Sequence, residues 1–155
     1  MNAMTARGLS LALVVAVWTL ISEMAKVNLS LWAVVVALGC FLAAGGGLQG
    51  LQKTVAGTVS GVVWALIAYT VITSLGRQPV FQALVYGAAV FMMVVQAQLP
   101  ILSYTAGAVG GAGVAIGLRV VNLQGGIRVA IALALGAVLG FGAEYLTGLL
   151  KPKRV

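Results

Sequence analysis

The sequence predicts an all-α, polytopic membrane protein of about six transmembrane helices, and three observations carry that expectation. Of the 155 residues, 62% are hydrophobic and only 7% are charged, against about 25% charged in a soluble domain. Too few charges exist to cover a water-facing surface. The nine basic and two acidic residues also stand far apart, separated by apolar runs long enough for crossings of roughly 20 residues each. Finally, runs such as 31–44 and 129–142 are apolar without alternation, whereas strands of a membrane barrel alternate polar and apolar positions. Six crossings use about 120 residues, so the chain reads as one integral membrane domain, 1–155, with no separate soluble part.

The expected spans are 8–22, 27–44, 54–75, 79–97, 103–118 and 127–150. The first follows Arg7 and stops at Glu23 and Lys26. It resembles a signal peptide in length, but Ser22-Glu23-Met24 is a poor small-residue cleavage site and five more spans follow, so it reads as a membrane helix. The second ends at Gly45-Gly46-Gly47, with Lys53 beyond, and the third at Gly76-Arg77-Gln78-Pro79, both breaker clusters. From Gln78 to Leu118 there is no charge; as one helix this stretch would be about 60 Å long, so it must turn. Gln96, Gln98 and Pro100 mark the place, since proline removes a backbone donor and disfavours helical geometry at Leu99. Flanked by Ala97, Leu99, Ile101 and Leu102, the turn is too apolar for water. Such backbone survives at membrane depth only where protein or a wet cavity satisfies it. Arg119 to Arg128, enclosing Asn122 and Gly125-Gly126, separates the last two spans.

For topology, an N-in, C-in arrangement puts Arg7, Lys53, Lys151, Lys153 and Arg154 inside and Lys26, Arg77, Arg119 and Arg128 outside. The positive-inside bias is weak, and the C-terminal Lys-Pro-Lys-Arg cluster decides it. The net charge of +7 reads as anchoring to anionic headgroups rather than as a nucleic-acid footprint. The chain has no histidine and one cysteine, Cys40. Histidine-based acid–base catalysis, His- or Cys-paired nucleophiles and histidine metal sites are therefore excluded, as is an intrachain disulfide. The Gly45 to Gly50 stretch lacks the Gly-Lys-Ser/Thr ending of a phosphate loop. No catalytic residue, metal site or cofactor is expected, and the chain does not read as an enzyme.

Shifting the sequence by 75 residues sets Leu48-Gln49-Gly50 on Leu123-Gln124-Gly125, Lys53 on Arg128 and Gly61 on Gly136. This is either a three-plus-three inverted repeat, as in many transporters, or a chance alignment of two glycine-rich segments. Gly57 and Gly61, Gly107 and Gly111, and Gly136 and Gly140 form small-xxx-small pairs, which suit close helix packing as well as a pore wall. Glu144 continues the last progression. It is either an intramembrane carboxylate with a functional role or an interfacial one paired with a basic residue. Gln96 and Gln98, with Pro100, Ser103, Tyr104 and Thr105 after them, are the pore-lining candidates, because uncharged donors and acceptors suit a small neutral solute. Alternatively the glutamines satisfy the broken backbone at Pro100. Trp18, Trp32, Trp64, Tyr69 and Tyr86 read as interface anchors or packing residues.

Three runs carry a family resemblance: Gly46-Gly47-Leu48-Gln49-Gly50-Leu51, Ser60-Gly61-Val62-Val63-Trp64-Ala65, and Phe91-Met92-Met93-Val94-Val95-Gln96-Ala97 with Ser103 beyond. With them the chain resembles the small bacterial inner-membrane proteins of unknown function typified by YcdZ, over most of its length. The resemblance implies a polytopic helical protein of the bacterial cytoplasmic membrane, described at most as a transporter, and brings no substrate. One departure is Ala106-Gly107, where the family pattern has Pro-Gly. Glu144 belongs to no family motif.

The expected function is a channel or facilitative transporter for a small polar solute of the urea, ammonia or short-amide class. The alternative is a structural or accessory subunit that binds another membrane protein through its glycine-rich faces. Its expected partners are the lipid bilayer, the solute and further copies of the chain, since so small a bundle has little interior for both a pathway and gates.

Overall fold

The computed structural model describes residues 3–150; the C-terminal cluster of Lys151, Lys153 and Arg154 lies outside them. Among the described residues the regular structure is all helical: α1 (Ala3–Met24), α2 (Leu31–Ala43), α3 (Gly47–Ser74), α4 (Pro79–Val95), α5 (Thr105–Gly117) and α6 (Leu123–Leu150). Two short 3-10 turns, Gln96–Gln98 and Pro100–Leu102, join α4 to α5. The chain does turn at Pro100, as its missing donor requires.

Among the described residues four helices are long and apolar enough to cross a membrane. By contrast α2 and α5 have 13 residues each, about 20 Å at 1.5 Å per residue, less than the hydrocarbon thickness of about 30 Å. The expected second span, 27–44, thus loses its first residues, which form a tight non-helical turn with the Leu29 amide bonded to the Val27 carbonyl. Three other spans begin earlier than expected, the first of them at Ala3 rather than 8. Gly45, Gly46 and Gly47 have φ of 93°, 74° and 65°, a left-handed path that L side chains resist, and α3 starts there rather than at 54. At α6 the Asn122 carboxamide accepts the Gly125 amide at 2.7 Å, an N-cap that starts the helix at Leu123 rather than 127.

The centre is α3 beside α6, antiparallel: Gly47 meets Glu144 at one end and Leu66 covers Gly126 at the other. Alongside α3 runs α5, with Gly57 against Tyr104 and Ala108, and Gly61 against Ala108 and Ala112. Alongside α6 runs α2, with Gly136 against Val34 and Ala37, and Gly140 against Phe41. The outer helices complete the pattern, α1 on α6 and α4 on α3. Exchanging α1–α3 with α4–α6 maps the α3–α6 pair onto itself and turns each of the other pairs into another of them.

Because lipid gives helices little hydrophobic reason to associate, contact must come from close backbone approach. The core accordingly contains Ala33, Ala37, Ala108, Ala115, Ala132 and Ala137, all nearly inaccessible, with Phe41 set edge-on to Phe141 at 6.4 Å between centroids. Leu13, Val17 and Leu20 of α1 and Leu84, Phe91 and Val94 of α4 stay exposed, as lipid-facing side chains should. Helices α1 and α5 close on Lys26 and Arg119, whose φ values of 49° and 52° are left-handed, and α3 closes on Gly76 and Arg77, with φ of 83° and 57°. A cation there complements the carbonyl end of the helix, although glycine would adopt this backbone more easily.

Candidate solute site

The last residue before the turn, Gln96, is half-buried against α3. Ser60 Oγ donates to the Gly57 carbonyl at 2.7 Å, which leaves its lone pairs free, and Gln96 Nε2 donates to it at 3.0 Å. Trp64 Nε1 donates to Gln96 Oε1 at 2.8 Å. Four residues apart, Ser60 and Trp64 share a helix face, and together they hold the carboxamide in one orientation. Each end of it is used once, so one N–H and one oxygen lone pair stay available. Ser60 stands about 20 Å along α3, a helix of 28 residues and about 42 Å, so the cluster lies near the helix midpoint.

Below it a depression of about 580 Å³ is lined by Gln49, Gln52 and Lys53 from the first turns of α3 and by Pro100, Ile101 and Ser103 from the turn. Lys53 and Ser60 are two helical turns apart on one face, about 11 Å. Among the pore-lining candidates, Pro100 and Ser103 therefore meet in this depression, with Ser103 Oγ closing the turn onto the Pro100 carbonyl at 2.9 Å. Gln96 lies deeper. Gln98 is exposed and outside this lining. Tyr104 instead reaches α2, its hydroxyl donating to the Cys40 carbonyl at 2.9 Å, and Thr105 starts α5 half-buried. Gly107 packs under the Tyr104 ring and Gly111 under the Thr58 carbonyl.

Sequence reasoning missed Ser60, Trp64, Gln52 and Lys53 as members of the site. Their spacing carries a signal: 49, 52, 53, 60 and 64 follow one side of a helix. Trp64 nevertheless reads as an interface anchor until α4 is placed beside it.

Glu144 is exposed, and its Oε2 accepts the Gly47 amide at 2.7 Å. The carboxylate thus serves the start of α3, where Gly46 offers no side-chain cap, and it complements the positive helix end. It also faces a cavity of about 560 Å³ shared with Arg7. Replacing Glu144 with alanine should cost about 1 kcal/mol, read as a melting temperature lowered by about 2–4 °C in detergent; an unchanged melt would show that the cap contributes nothing.

A family model described as "Protein of unknown function (DUF1097)" matches residues 8–148. The chain belongs to this family. The DUF1097 match runs from α1 into the last turn of α6 and includes Ser60, Trp64, Gln96 and Glu144. No curated protein and no solved structure matches the chain. Family and fold together give a helical membrane protein, without a substrate.

Proposed function

We propose that this DUF1097 chain is a channel or facilitative transporter for a small neutral polar solute of the urea, ammonia or short-amide class. The observation that carries the proposal is the Gln96 carboxamide, fixed near mid-length by Ser60 and Trp64 with one donor and one acceptor to spare. A donor beside an acceptor complements an amide, and the three side chains of the cluster are uncharged, which suits a neutral solute better than an ion.

The packing exchange between the two halves supports a three-plus-three inverted duplication, since α3 and α6 run antiparallel. At the 75-residue offset Gln124, Arg128 and Asn28 correspond to Gln49, Lys53 and Ser103. They line a second depression, of about 340 Å³, at the opposite end. A polar opening at each end suits alternating access. The glycines that approach other helices most closely, Gly61, Gly111 and Gly136, do so within the chain, whereas a Cβ added at Gly113, Gly117 or Gly148 would meet nothing within 4 Å. The proposal includes a homo-oligomer with subunit contacts elsewhere, in a bacterial cytoplasmic membrane with both termini inside.

Stopped-flow uptake of urea, ammonia and formamide into proteoliposomes tests the reading. Flux of at least one solute should exceed that of empty vesicles and return to their level in Gln96→Leu. Rates equal to empty vesicles for all three, or flux indifferent to Gln96→Leu, would overturn it.

A further inference from the structure

A second cavity lies toward the Ser74 end of α3, beyond the Gln96 cluster. A cavity of about 290 Å³ is lined by Arg77, Arg119, Tyr69 and Tyr86 together with Ala65 and Ile116. Neither of the chain's two carboxylates, Glu23 and Glu144, lines it. Arg77 is pre-positioned, its Nη2 donating to the Tyr69 hydroxyl at 3.0 Å and its guanidinium 5.8 Å from the centroid of that ring, a cation–π arrangement. Both arginines hold the left-handed backbone that glycine would adopt more easily, and both line the one cavity. Two cations converging without a counter-charge call for an anion, and guanidinium forks match phosphate oxygens.

Through Ala65, Tyr86 and Ile116 this cavity continues into an apolar cleft of about 180 Å³ between α3, α4 and α5, whose walls include Ala89, Met93, Val109, Ala112 and Gly113. Val90, Val109 and Ile116 on its rim are exposed on the outer surface, so the cleft opens sideways, toward lipid. A cationic head cavity at a helix end joined to an apolar slot open to the bilayer has the shape and charge of an amphiphile.

We propose that this crevice binds one anionic phospholipid drawn from the bilayer, its phosphate on Arg77 and Arg119 and one acyl chain in the α3–α4–α5 cleft. Juxtamembrane arginines recognise anionic lipid in this way, and the lateral opening favours a membrane lipid over a soluble anion. The cavity shares Arg119, Val120 and Val121 with the depression at Asn122, and its test needs no transport.

Delipidated full-length protein in mild detergent, titrated with palmitoyl-oleoyl phosphatidylglycerol or the matching phosphatidylcholine and read by native mass spectrometry, tests the proposal. One phosphatidylglycerol per chain should bind about thirtyfold more tightly than phosphatidylcholine, the preference expected of two juxtamembrane arginines. Arg77→Gln with Arg119→Gln should erase the preference, whereas Arg128→Gln, outside this cavity, should keep it. Gly113→Leu fills the cleft at a position where an added Cβ meets nothing within 4 Å, so it should fold and still lose the lipid. Equal affinity for the two lipids, a preference that survives the double arginine variant, or retention by Gly113→Leu would overturn the proposal. So would competition by inorganic phosphate or oleate as strong as that of phosphatidylglycerol, which would assign the site to a free anion or a fatty acid.

Discussion

Gly61→Leu and Gly136→Leu should each yield little or no folded protein. A Cβ on Gly61 would overlap the Ala108 carbonyl, and one on Gly136 the Val34 carbonyl. Both obstacles are backbone inside a helix, which cannot swing aside as a side-chain end can. Overpacking a core costs about 1–3 kcal/mol even where side chains yield, and here two helix pairs, α3 with α5 and α2 with α6, would have to part. Against a total stability of about 5–15 kcal/mol, separating either pair removes most of the margin. The control is Gly117→Leu, where an added Cβ meets nothing within 4 Å and the same increase in bulk should be tolerated. Size-exclusion profiles and thermal melts in detergent decide the matter: a Gly61→Leu chain as monodisperse and stable as Gly117→Leu would show that α3 and α5 do not approach as described.

Gln96→Leu should destabilise the protein as well as stop flux. Removing the carboxamide leaves the Trp64 indole N–H without its acceptor and Ser60 Oγ without its donor, at about 1–3 kcal/mol for a polar group left unsatisfied. Trp64→Phe removes the same bond from the other side, so the double variant should lose less than the two single losses added together. The coupling should be about 0.5–1.5 kcal/mol, measured from unfolding midpoints. Strict additivity would mean that the bond does not hold α4 to α3.

The six helices are legible in the sequence because charges and glycine clusters punctuate apolar runs, and a lipid-embedded chain has few other ways to mark a turn. Their ends are less legible. The start of α3 is served by Glu144, 97 residues away, and no local pattern announces a distant cap. The turn between α1 and α2 opens on a left-handed Lys26, a position normally signalled by glycine. At the site, Gln96 stands out as a polar residue at a turn in uncharged sequence. Ser60 and Trp64 do not, because their role exists only once α4 lies against α3. The 4-residue spacing of Gly57 and Gly61 marks a face for close approach, but which helix approaches it is a tertiary fact.

The central claim is that the Ser60–Gln96–Trp64 cluster can be reached by solute from water through the depression at Gln49, Gln52, Lys53 and Ser103. Its most direct test is chemical access to that depth. In a Cys40→Ala background, Ser60→Cys provides a nearly isosteric thiol at the cluster, and sealed vesicles are treated with a small membrane-impermeant methanethiosulfonate from the side bearing the start of α3. The account predicts that the introduced thiol is modified, and that a saturating transported solute slows the modification. A thiol that stays unreactive in the folded protein, yet labels fully once the chain is unfolded, would contradict it and make the cluster a structural clamp sealed from water.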